Sequence, residues 1–193
     1  SGVLSFVDAP SSGGLVFIQS QTASSAASID FDGVLSSTYD QYLAISTDLH
    51  FDTNTVQCWI RTDSNGGDSF DAGAGDYNHI NGGATYTSMV ATRSGADTKI
   101  VAGGNMTGGA IGNEADTCAM LRLYINNPSG TVFNKVLNGT FTFPDDDDSG
   151  TGEHAVVQFT GVRESTAAID SFQILSSSGT IDGTVRLYGI VDS

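Results

Sequence analysis

Positive charge is scarce in this sequence. Seven lysines and arginines oppose 22 aspartates and glutamates, for a net charge of −15. So few cations cannot build the counterion-releasing surface that a phosphate backbone requires, which argues against nucleic acid as a partner. Glutamate is nearly missing as well, with only Glu114, Glu153 and Glu164; the remaining acids are aspartates. Aspartate bonds its own backbone in turns and caps, whereas glutamate suits helix faces, so the acid count points away from helices. No apolar run approaches the roughly 18 residues of a spanning helix, and no membrane partner is expected.

Cysteine is limited to Cys58 and Cys118. The opening SGVLSF shows no basic stretch followed by an apolar core, so the reading is a product made in the cytoplasm with its initiator methionine removed. Free thiols are the default there. Both cysteines are expected to be reduced and to behave as small hydrophobes, Cys58 sharing an aliphatic face with Val56 and Ile60.

Catalytic chemistry is also short of parts. His50, His79 and His154 are far apart in sequence, and neither a Gly-x-Ser-x-Gly elbow nor a His-x-x-x-His pair occurs. No catalytic residue and no cofactor are expected. Asp63, Asn65, Asp68, Asp71 and Asp76 share one loop, and four aspartates at 145–148 share another. Oxygen-rich loops suit Ca²⁺, but DSNGGD lacks the bidentate glutamate of an EF-hand, so turn formation and solvation account for both clusters and no metal is expected.

Glycine is abundant, with 24 residues among many serines and threonines, which describes short strands joined by turns. Residues 15–18 read as a first core strand and 20–28 as a small-residue spacer. Between 39 and 51, Tyr39, Leu43, Ile45, Leu49 and Phe51 alternate with polar residues as one apolar face. Residues 56–62 follow as a strand, then a long Gly/Asp/Asn loop from 63 to 83 and weak strands at 84–92 and 98–102. A second Gly-rich loop spans 103–116. Strands at 118–125, 131–137, 140–143 and 155–159 lead to a closing hairpin, 169–175 and 184–190, in which Val185, Leu187 and Gly189 alternate with Arg186 and Tyr188.

The fold class is therefore all-β, an antiparallel β-sandwich of jelly-roll type with long Gly/Asp-rich loops. Residues 1–28 form an N-terminal strand and spacer, and 29–193 a single sandwich domain, a size that buries roughly 70% of the unfolded surface. The alternation turns Trp59, Arg61, Arg122, Tyr124, Arg186 and Tyr188 away from the core set of Leu43, Ile45, Cys58, Ile60, Leu121 and Leu123. Trp, Tyr and Arg are the types enriched at interface hot spots. Either another molecule covers these six, or a second sheet or loop of the same subunit does.

The closing segment resembles the C-terminus of small structural proteins from tailed bacteriophages, marine ones especially. The resemblance rests on IDSFQI at 169–174, SGTI at 178–181 and GTVRLYGI at 183–190. It extends to Tyr39, Tyr42 and Leu43, to CWIRTDSNGG at 58–67, to Tyr77, and to YINNP at 124–128. It implies a sandwich on the virion surface, as a capsid decoration (cement or head-fibre) protein, or alternatively a tail appendage that binds host glycan. The implied partners are phage capsid or other virion proteins and further copies of the chain, with threefold symmetry expected. No catalytic residues come with it.

Overall fold

Alternation along extended strands decides which side of each sheet is buried, and the burial pattern follows it closely. The computed structural model describes residues 13–64, 69–84, 89–104, 111–144 and 154–191. Its large sheet contains, in spatial order, β1 (Leu15–Ala26), β12 (Ile181–Ile190), β3 (Gln41–Phe51), β8 (Ala119–Asn126), β9 (Lys135–Pro144), β10 (His154–Arg163), β5 (Tyr77–Ala84) and β6 (Met89–Asp97). The small sheet contains β2 (Ser28–Phe31), β11 (Ser171–Ser176), β4 (Cys58–Asp63) and β7 (Ile100–Gly103). Every pairing is antiparallel. The two sheets pack as a β-sandwich.

One core fills the space between them. The small sheet contributes Ile29, Phe31, Ile60, Phe172 and Ile174, with the Phe31 and Phe172 rings stacked at 4.7 Å. Tyr42, Phe51, Leu121, Leu123, Phe141, Phe143, Val157 and Phe159 come from the large one. Two glycines admit neighbours that a side chain would exclude. A β-carbon at Gly139 would strike the Arg122 carbonyl and the Phe159 ring, and one at Gly189 would strike the ring of Tyr39.

Several elements differ from the sequence reading. Residues 15–18 are not core: Leu15 is 53% and Phe17 56% exposed, because β1 is the edge of the large sheet. The small residues that follow continue β1 along β12 rather than forming a spacer. In β3 a bulge between Ser46 and Leu49 reverses the parity. Tyr42 and Ala44 therefore point inward with Leu49 and Phe51, while Leu43 and Ile45, expected in the core, turn to the other face of the sheet, Leu43 still buried at 6% exposure and Ile45 half-buried. A third of the loop expected at 63–83 is strand β5, anchored by buried Tyr77. The strand expected at 131–137 begins at Lys135 and runs unbroken through Asn138-Gly139, leaving Val132 and Phe133 exposed.

The closing hairpin is not a hairpin. β11 pairs with β2 and β4 in the small sheet, whereas β12 pairs with β1 and β3 in the large one. The linker between them crosses from sheet to sheet, a gap of about 10 Å.

The cysteines also part company. Both are free, but Cys58 is buried and Cys118 is exposed, just ahead of the first inward residue of β8, Ala119. Burial pushes the Cys58 thiol up to about 12, so it carries no thiolate near neutrality. Iodoacetamide at pH near 8 should therefore label one thiol, Cys118, in the folded protein and both after denaturation. Peptide mass spectrometry that found Cys58 alkylated under native conditions would contradict the packing of β4.

Candidate functional site

The six outward residues separate onto opposite sides of the sandwich. Trp59 and Arg61 lie on the outer face of the small sheet, because β4 turns Cys58, Ile60 and Thr62 inward. Both are half-buried. The Trp59 Nε1 donates to Gln57 Oε1 at 2.7 Å, Lys99 Nζ stands 4.8 Å from the ring centroid, and the Arg61 guanidinium 5.9 Å. Part of the cover over the only tryptophan thus comes from the chain's own cations, through cation–π contacts.

Behind Lys99 the polar contacts continue inward. Its Nζ binds Asp97 Oδ1 at 2.6 Å, and Asp97 Oδ2 lies 4.0 Å from Nδ1 of buried His79. Burial alone would raise the Asp97 carboxyl, but hydrogen bonds from Lys99 and the Thr98 amide outweigh it and hold it below its ordinary value. Burial lowers His79, against a smaller opposing pull from Asp97.

Arg122, Tyr124, Arg186 and Tyr188 lie on the outer face of the large sheet. Cross-strand register aligns one row over all eight strands: Phe17, Tyr188, Leu43, Tyr124, Asn138, Thr160, Ile80 and Arg93. The adjacent row reads Ser20, Arg186, Ile45, Arg122, Thr140, Gln158, Gly82 and Ala91. Phe17 and Tyr188 meet edge to face at 5.8 Å. The flanking rows add Leu15, Val136, Met120, Val156 and Met89, all exposed, and Asp48 stands exposed at the β3 bulge beside Thr184; the two central rows contain no aspartate or glutamate.

The two halves of this face differ in relief. Large side chains fill the half over β12, β3 and β8. Over β10, β5 and β6, glycine, alanine and threonine stand among Ile80, Met89, Arg93, Val156 and Gln158, and two depressions open there. The first, about 570 Å³, is lined by Gly82, Ala84, Met89, Ala91, Val156 and Gln158, and the second, about 650 Å³, by Asn78, Ile80, Arg93, Thr160 and Val162.

Of the oxygen-rich loop, Asn65 and Asp68 lie outside the described residues, as do the aspartates at 145–148. Asp63 is buried at the end of β4. Asp71 and Asp76 are engaged by Arg163, whose Nη2 lies 2.8 Å from Asp71 Oδ2 and whose Nη1 lies 3.5 Å from Asp76 Oδ1. The Tyr77 hydroxyl joins this knot, donating to the Asp71 carbonyl and accepting from the Thr62 amide. His50, His79 and His154 sit on three different strands, His50 against the Thr117 carbonyl and His154 exposed at the start of β10.

Sequence reasoning missed Lys99, Ile80, Gly82, Ala91, Arg93, Gln158 and Thr160 as face residues. Alternation counted outward from Tyr77 would have assigned β5, but Asn78, His79, Asn81 and two glycines resemble a loop. No protein-family model matches this chain, and no curated protein or solved structure proves similar to it.

Two outcomes test this geometry. Arg163→Met should destabilise the fold by about 2 kcal/mol or more, because mostly buried Asp71 would be left without its cation; a denaturant midpoint unchanged from wild type would show the knot to be decorative. His79 carries the pH test. Its folded value is depressed, so between the unfolded value of about 6.5 and that lower value the unfolded chain binds more protons. This part of the stability is complete above about pH 6.5 and is lost as the pH falls toward the folded value. Melting temperatures should accordingly be level above neutrality and fall below it, and His79→Gln should flatten the fall.

Proposed function

We propose that this chain is a non-enzymatic structural protein on the surface of a tailed-bacteriophage virion, a capsid decoration protein of the cement or head-fibre kind. One observation carries the reading: a single sandwich presents two outer faces on opposite sides, each bearing aromatic and arginine side chains. A protein built this way can bind capsid with one face and a neighbour with the other. The reading is supported further by the way the chain moves between sheets, β2 small, β3 large, β4 small, β5 and β6 large, β7 small, β8 to β10 large, β11 small, β12 large. Repeated crossing between two sheets is a trait shared with jelly rolls, a class that recurs in capsids.

The rival reading, a tail appendage that recognises host glycan through Gly/Asp/Asn loops, has weaker support. Asp71 and Asp76, which such a loop would offer to a sugar, are already held by Arg163.

Trp59 is the residue assigned to capsid contact. Trp59→Ala removes an outer-face ring and two cation–π contacts while leaving Cys58 and Ile60 in place. The variant should fold with a loss of about 1 kcal/mol, yet fail to occupy particles. Gold-labelled antibody on purified virions decides the placement. Label over the head, lost in the variant, is the expected result; label confined to the tail would support the glycan reading instead, and no label on particles would refute both.

A further inference from the structure

We propose that His79, Asp97 and Lys99 form an acid-sensitive latch over Trp59, in which a proton taken up by His79 draws Asp97 inward and releases Lys99 from the indole ring. The inference concerns a relay within one subunit; it goes beyond the virion reading and does not rest on it.

A bulge brings the three groups together. Where β5 takes two steps, from His79 back to Tyr77, β6 takes three, from Ser94 to Asp97. Ala96 takes up the extra length at φ 59°, its amide donating to Asn78 Oδ1. In an unbroken ladder Ala96 would stand opposite Tyr77; the extra residue puts Asp97 there instead, on the inward side with His79. Lys99 follows in the turn into β7, and its Nζ lies over the Trp59 ring on the outer face of the small sheet.

The histidine is poised for a proton. Its Nδ1 is buried and, among the described residues, has no hydrogen-bond partner. The bond between the ring and the Lys99 backbone favours the protonated form, so the other nitrogen donates to that carbonyl and Nδ1 is the bare nitrogen of the neutral ring. A proton on Nδ1 makes it a donor toward Asp97 Oδ2, 4.0 Å away, and closing to a charge-assisted bond of about 2.8 Å needs a shift of about 1.2 Å. The trio then carries two cations and one carboxylate. His79 is buried and cannot exchange its new partner for water, whereas Lys99 ends a flexible stem that already reaches solvent. Lys99 is therefore the group that leaves.

Among the described residues no other group changes charge beside His79. On β6, Ser94 lies opposite it, and Asp97 stays ionised because, against its burial, hydrogen bonds from Lys99 and the Thr98 amide hold it below its ordinary value. On β10, Gly161 lies opposite, and Arg163 beyond it is engaged by Asp71 and Asp76. Tyr77, kept neutral by burial, and Asn81 share the β5 face, and β7 presents Ile100, Val101 and Ala102. Burial lowers His79, so the latch is shut above its ordinary value of about 6.5 and opens as the pH falls through the lower folded value.

The test uses the full chain in solution. One tryptophan gives one indole N–H signal in a nitrogen-correlated NMR spectrum. That signal and the His79 ring carbons should titrate with one shared midpoint below about pH 6.5, with the far-UV circular dichroism unchanged. His79→Gln should hold the indole signal still. Lys99→Met removes the repelling cation and frees Asp97, so the His79 midpoint should rise while the indole signal stays flat. Asp97→Asn should lower the His79 midpoint and also uncouple the indole. An indole signal that ignores the His79 titration would overturn the proposal. So would one that still moves in His79→Gln, a His79 midpoint indifferent to Lys99→Met, or loss of the fold before His79 titrates. Each reading is made on the isolated chain, so failure of the latch and failure of the virion reading remain distinguishable.

Discussion

Eight strands face four across this sandwich, and that inequality governs the surface. A pleated strand must send every second side chain to each side of its sheet. The large sheet buries its inward half against the small sheet, and among the described residues no layer lies on its other side. Apolar residues nonetheless occur there: Phe17, Ile80, Met89, Met120 and Val156 are each close to half exposed or more. They are interspersed with Asn138, Thr160, Thr142 and Gln158, a mixed apolar and polar face. The strand count, rather than any motif, makes that face the dominant surface feature.

The disposition of the seven cations sharpens the point. Lys135 is buried against the Phe133 and Thr166 carbonyls, where desolvation lowers its pKa. Arg163 clamps Asp71 and Asp76, and Lys99 binds Asp97. Arg61 donates to the Thr98 carbonyl beside Trp59. Each of these four is spent inside the subunit, fixing a loop or strand end. Arg93, Arg122 and Arg186 are exposed, and all three lie on the outer face of the large sheet. In a chain with three acids for every base, placing those arginines away from carboxylates keeps their donors available to another molecule.

Much of this was legible in the sequence where alternation was uninterrupted. β4, β8 and β12 display their inward and outward sets as the residues alternate, which is why Trp59, Arg61, Arg122, Tyr124, Arg186 and Tyr188 were found. Alternation fails where the backbone departs from a regular ladder. The bulge in β3 moves Leu43 and Ile45 outward, and no residue type at Ser46-Thr47-Asp48 announces it; the Asp48 carboxylate holds it by accepting from the Thr184 amide and the Ser46 hydroxyl. Partnership was illegible for another reason. β11 and β12 look like a hairpin because they are consecutive, yet sheet membership is set by long-range packing, with the Phe172 ring stacked on Phe31. β1 misled through composition: an apolar run at an edge strand serves the exterior and reads like a core strand.

A sheet with an uncovered face also has open edges, and the two could compete as routes to assembly. Edge-to-edge pairing needs a continuous row of free backbone groups on a flat strand. β1 is interrupted twice along its length, between Phe17 and Gln19 and between Ala23 and Ala26, with Ser25 in the left-handed region at φ 49°. At the opposite edge, the β5–β6 ladder is irregular between Tyr77 and His79, and Ala96 sits at φ 59°. Such kinks twist an edge out of register with an incoming strand. By contrast, the rows beside β9 contain no bulge across β8, β9, β10 or their mutual pairings. Regular backbone at the centre of the sheet and irregular backbone at both of its edges work against extension of the sheet by an incoming strand.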